Sequence, residues 1–116
     1  MAKLNMTGTF ILSNEEIDKR VTKTSAGNYA LGRVENNTFY VKYVGRSDND
    51  LNKRLKDWVG SYESFKFSYA SSPKSALEKE CENYHDFGEN KSLDNKAHPD
   101  RPDNANWSCP NCDIFD

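Results

Sequence analysis

Three stretches of the chain alternate or concentrate β-favouring residues, and two others repeat their apolar positions at the helical period. Tyr29 to Val34 and Thr38 to Val44 are β-rich, and Glu35-Asn36-Asn37 between them reads as a hairpin loop. A three-residue loop pairs Val34 with Thr38, Leu31 with Val41 and Tyr29 with Tyr43, which puts both tyrosines on one face. A two-residue loop slips the register by one and separates them, because side chains alternate between faces. Ser64 to Tyr69 sets Phe65, Phe67 and Tyr69 against Ser64, Lys66 and Ser68, the pattern of a third strand with one buried face.

The helical stretches follow the hairpin and the third strand. Asp48, Asn49 and Asp50 predict a helix start, with acidic side chains favourable at its N-terminus, and Gly60 ends it after Val59. Leu51, Leu55, Trp58 and Val59 share one arc, with Arg54 at its border. Ser72 is a cap and Pro73 a first helical residue, predicting a second helix to Phe87. At about 100° per residue, Ala76, Leu77, Glu80, Tyr84 and Phe87 share one arc of it. Glu78, Lys79, Glu82, Asn83 and Asp86 take the other. Ahead of the hairpin, Thr9 to Leu12 has the makings of a short strand, and Asn14 of a cap for a helix carrying Ile17 and Val21. Residues 1–26 read as an N-terminal extension that packs on the outside or meets a partner. Residues 27–96 form the core, and 97–116 an Asn/Asp/Pro-rich tail.

Composition narrows the class. A length of 116 residues suits one domain, and with 35% hydrophobic residues the core must be compact, built on six Phe, six Tyr and two Trp. A net charge of −2 does not favour wholesale nucleic-acid binding, although Arg46, Lys53, Arg54 and Lys56 form a local basic patch. No apolar run reaches membrane-spanning length, and the start lacks a signal-peptide stretch. The three cysteines, two of them as Cys109-Pro110-Asn111-Cys112, favour metal over disulfides and a reducing, cytoplasmic setting.

Glu80 is the one carboxylate in the middle of the apolar stripe. Such a group is costly unless paired or holding a metal, so it is either half of a buried salt bridge, with Arg54 as candidate partner, or a ligand for a hard divalent cation. Arg54 in turn either covers Trp58 as a surface residue or offers a planar donor fork to phosphate. Tyr29 and Tyr43 are hairpin aromatics or the phenols of a site.

Order and spacing connect these residues. Gly27-Asn28-Tyr29, Tyr43-Val44-Gly45, Arg54, Ala76-Leu77-Glu78-Lys79-Glu80 and Asn95 resemble the motifs of GIY-YIG nucleases, over most of the chain from Gly27 to Asn95. The resemblance implies an α+β fold, with a small three-stranded antiparallel sheet flanked by helices and an active site on the sheet surface. It implies Tyr29, Tyr43, Arg54, Glu80 and Asn95 as the catalytic set. Glu80 is chosen over Glu78 because the family's glutamate stands four residues after a small one, here Ala76.

The implied reaction is one-step hydrolysis of DNA, with Glu80 holding one Mg²⁺ or Mn²⁺. Tyr29 orients and deprotonates the attacking water, as tyrosinate or through hydrogen bonding. Arg54 neutralises phosphate charge, while Tyr43 and Asn95 position the groups. A free tyrosine has a pKa of about 10, so Tyr29 as a base needs a cation nearby, and Lys42, Arg46 and the metal are available. Lys42, Arg46 and Lys53 are also the candidate DNA contacts. The chain departs from the family pattern in three places. Asn28 replaces the usual isoleucine, its side chain alternating away from the site. The interval from Gly45 to Arg54 is one residue longer, which makes Lys53 the second candidate for the arginine's role. Trp58 stands where many members carry a histidine, and cannot relay a proton.

A second metal is suggested further along. Cys81 and His85, one helical turn apart, with Cys109 and Cys112 make a Cys₃His set for structural zinc, His98 being an alternative to His85. The segments around both pairs look like those of zinc-stapled family members, so zinc is expected to pin the tail onto the helix bearing Glu80. The expected protein is thus a metal-dependent endonuclease acting on DNA, whose small surface calls for a homodimer or a protein partner to confer specificity. The rival is a catalytically silent nucleic-acid-binding or protein-interaction module of the same fold, and a third reading is a redox protein using Cys109 and Cys112.

Overall fold

The computed structural model describes residues 6–87 together with 93 and 94. Seven elements follow in chain order: β1 (Thr7–Ile11), α1 (Asn14–Arg20), β2 (Gly27–Glu35), β3 (Thr38–Ser47), α2 (Leu51–Lys56), β4 (Ser64–Tyr69) and α3 (Pro73–Asp86). The fold is α+β, and the sheet has four antiparallel strands in the order β1-β4-β2-β3 where three were expected. The added strand is β1, which pairs with β4 and extends the sheet on the side away from the hairpin. It presents mostly exposed side chains, so no alternation in the sequence marked its place in the sheet.

Helices cover both faces. On one, Leu12, Ile17 and Val21 bury against Tyr29, Leu31, Leu51, Leu55, Phe65 and Phe67. Of the two alternatives for the N-terminal segment, packing on the outside or meeting a partner, the first is not met, since its apolar residues share the main core. On the other face Tyr84 of α3 and Leu93 bury against Ala30 and Val44.

The helix ends have local causes. Ser13, one residue before the expected cap, accepts from the Glu16 amide, and Asp50 accepts from that of Lys53. Ser72 accepts from the Ser75 amide and Pro73 opens α3, as expected. No helix among the described residues is long and apolar enough to cross a membrane.

Candidate active site

The hairpin does not have the expected loop. Glu35 pairs with Thr38, leaving a two-residue turn of Asn36 and Asn37 at φ 52° and 62°. Positive φ at both central positions is the mark of a type I′ turn, whose twist matches that of the strands. Alone, this register would send Tyr29 and Tyr43 to opposite faces. A β-bulge corrects it: Gly32 pairs with Val41 but Leu31 pairs with Tyr43, so Lys42 is the extra residue. The two slips cancel in parity, and the phenols share a face with ring centroids 6.5 Å apart and planes within 17°. Gly32 makes the bulge possible, because a Cβ there would fall 1.9 Å from the Tyr40 carbonyl oxygen.

Gly45 does the same for the site. It pairs with Tyr29, and a Cβ on it would lie 2.4 Å from the Tyr29 hydroxyl. The bare backbone lets the Tyr29 ring lie across β3, an edge strand, and bring its hydroxyl to the sheet margin. The Trp58 Nε1–H donates to Tyr29 Oη over 2.9 Å and fixes that hydroxyl as an acceptor on one side. Its own proton remains to be donated elsewhere. Trp58 also packs on Tyr43, centroid to centroid 4.5 Å.

Glu80 arrives from α3, on the other side of the sheet. Its carboxylate is buried, with 8% of the residue exposed, and Oε1 accepts from Arg46 Nη1 at 2.5 Å. Arg46 Nε donates in turn to Asp48 Oδ1 at 3.0 Å. The guanidinium thus bridges two carboxylates. The salt-bridge partner of Glu80 is therefore Arg46, and not Arg54, the candidate partner in the salt-bridge reading of the sequence. Arg54 is 55% exposed on its side chain and lies 3.9 Å from the Asp57 carboxylate, a contact worth little in water. Tyr29, Tyr43, Gly45, Arg46, Asp48, Arg54, Trp58 and Glu80 line one open cleft of about 280 Å³ at the β3 edge.

Electrostatics assigns protonation states. Burial pushes the Glu80 carboxyl up to about 7, although Arg46 pulls it back. Burial, and then the neighbouring Tyr43 phenol, raise Tyr29 well above the ordinary tyrosine value, against the lowering effect of Trp58. Tyr43 is raised by burial and by Glu80. Both tyrosines are therefore neutral phenols at physiological pH, and the expected Tyr29 tyrosinate is not supported. They remain hydrogen-bond donors.

Of the residues singled out from sequence, the structure gathers Tyr29, Tyr43, Arg46, Arg54 and Glu80. Lys53 is exposed and lines the adjoining hollow with Asp48, Asp50 and Arg54. Lys42 is half-buried, and its carbonyl accepts the Asp94 amide, while the Tyr62 hydroxyl donates to the Asp94 carboxylate at 2.9 Å. Asn95, His98, Cys109 and Cys112 lie outside the described residues. Cys81 is buried and His85 half-buried, one turn apart on α3. Among the described residues no three of His, Cys, Asp or Glu come together as a metal group.

Asp48 was missed from sequence, where it reads only as a helix-start residue. Asn28 and Trp58 were noted there as departures from a pattern; Trp58 bonds the Tyr29 hydroxyl, and Asn28 bonds the Ala76 carbonyl one turn before Glu80. Compared with protein-family models, curated proteins and solved structures, the chain matches none.

Proposed function

We propose that the chain is a divalent-cation-dependent nuclease of the GIY-YIG kind, cutting DNA phosphodiester bonds at the cleft on the β3 edge. The observation that carries this reading is convergence: two phenols, an exposed guanidinium and a buried carboxylate from four elements line one small cleft. Glu80 is a buried carboxylate at the cleft, with Arg46 as its cationic partner. A hard divalent ion also suits such a group, and Mg²⁺ or Mn²⁺ binds through one or two carboxylates plus water and phosphate oxygens. Glu80 would hold that ion, with Asp48 close enough to be felt electrostatically. When bound, it supplies Lewis-acid polarisation of a phosphate oxygen.

The chain's own groups do the rest. Arg54 offers its donor fork to a phosphate oxygen from the solvent side. Tyr29, held by Trp58, and Tyr43 donate hydrogen bonds toward the same phosphate. Arg46 must release Glu80 as the ion binds and then has Asp48 as its remaining partner. Asn95 is kept as a further polar contact on the motif resemblance alone. We also infer a structural zinc held by Cys81, His85, Cys109 and Cys112, on the donor chemistry of the first two at one turn's spacing on α3.

Plasmid nicking with Mg²⁺ or Mn²⁺ tests the reading. Wild type is expected to nick, and Glu80→Gln to be slower by roughly 10²-fold or more while still binding DNA. The internal Arg46–Glu80 pair favours the rival, a silent nucleic-acid-binding module that needs no cation. That rival is adopted if neither protein cuts and both bind DNA equally.

A further inference from the structure

Arg46 on β3, Asn28 on β2 and Ser68 on β4 are register partners, and they form one row across the sheet beneath α3. All three bond the same turn of that helix. Arg46 holds the Glu80 carboxylate, Ser68 Oγ accepts from Lys79 Nζ at 2.9 Å, and Asn28 Nδ2 donates to the Ala76 carbonyl at 2.8 Å. Asn28 alone in this row reaches the helix backbone. In an α-helix the Ala76 carbonyl also accepts the Glu80 amide, so Asn28 grips the acceptor of Glu80's own N–H.

Asn28 is fully buried, and its Oδ1 has no hydrogen-bond partner among the described residues. A buried acceptor left unpaired is unfavourable, whereas valine suits a strand and leaves none. Stability alone therefore does not explain an asparagine here. Its neighbour on β2 is Tyr29, whose side chain points to the other face.

We propose that Asn28 is a positioning residue: its bond to the Ala76 carbonyl sets the height and rotation of the Ala76–Glu80 turn, so that the Glu80 carboxylate reaches the edge cleft beside Tyr29. The consequence rests on the nuclease reading, but the cause is the fit of α3 to the sheet, and the two are tested apart. Asn28→Val removes the donor and keeps a strand-forming residue, and its Tm is expected to equal or exceed that of wild type. Mn²⁺ binding, followed by electron paramagnetic resonance, should weaken about tenfold or more. The value of kcat should fall by about the same factor, with KM for DNA within about twofold of wild type.

A merely structural role would move Tm and leave Mn²⁺ affinity and kcat alone. A folded Asn28→Val with Mn²⁺ affinity and kcat within about twofold of wild type overturns the proposal. Should valine lower Tm, Asn28→Ala removes the same donor without added bulk and is judged by the same readings. If wild type neither cuts DNA nor binds Mn²⁺, the nuclease reading falls and the crystal structure of Asn28→Val decides the positioning. A Glu80 carboxylate parted from Arg46 supports it, and an unmoved pair overturns it.

Discussion

Glu80 keeps an ionisable group where solvent hardly reaches, and a pH dependence of stability follows. Its carboxyl lies near 7 in the folded protein against an ordinary 4.5, chiefly through burial. The folded state thus holds a proton that the unfolded chain releases between those values. The stability this gives is full below about 4.5 and is lost as pH rises through about 7. A shift of that size corresponds to roughly 3 kcal/mol. Glu80→Gln cannot ionise, so it should gain about 2 kcal/mol on wild type between pH 5 and pH 8. Urea unfolding at the two pH values checks this, and an unchanged difference refutes the raised carboxyl. The inward placement of Glu80 was legible in the sequence, because the helical period alone sets which arc a residue joins. Its partner was not. Arg46 reaches it only because register and the sheet edge bring the end of β3 against α3, and period carries no information about either. Likewise composition could not show that burial keeps Tyr29 a phenol.

Strand register shows the same limit at the scale of an element. The active-site reading of Tyr29 and Tyr43 requires that the two tyrosines share a face, and a three-residue loop is the simplest way to meet it. The hairpin meets it by another route, a two-residue turn plus a bulge at Lys42. Alternation has period two, so two one-residue slips leave the pattern unchanged and cannot be read from it. The signals were present but unweighted: Asn-Asn favours positive φ, and Gly32 marks a close approach. Asn37 sits at φ 62°, where glycine is free of the strain a side chain brings. Asn37→Gly should therefore stabilise the hairpin by about 0.5 kcal/mol without altering nicking, since the register stays the same. Thermal unfolding with a plasmid assay on the same sample checks it. A loss of stability would show that the turn is not of this type.

Across the whole molecule, the N-terminal segment and the helix bearing Glu80 lie against opposite faces of the sheet, and only one of them is bound up with the main core. Leu12, Ile17 and Val21 bury with Tyr29 and Phe65, which ties β1 and α1 to the same cooperative unit as the hairpin. The α3 side is a smaller cluster of Ala30, Val44, Tyr84 and Leu93, supplemented by the polar row that fixes the Ala76–Glu80 turn. Cys81, adjacent to Glu80, is buried on α3 together with Ala76 and Leu77. A zinc bound through it would add to the anchorage that these side chains already give α3. Purified protein should then carry about one zinc per chain by elemental analysis. Cys81→Ser and Cys112→Ser should each lose the zinc and destabilise by roughly 3 kcal/mol or more. Because Cys81 and Glu80 share a helical turn, these variants should lose nicking as well, whereas Glu80→Gln should lose nicking and keep its zinc. A zinc-free wild type with full thermal stability would remove this anchor, and α3 would then have to be held by the polar row and its buried side chains alone.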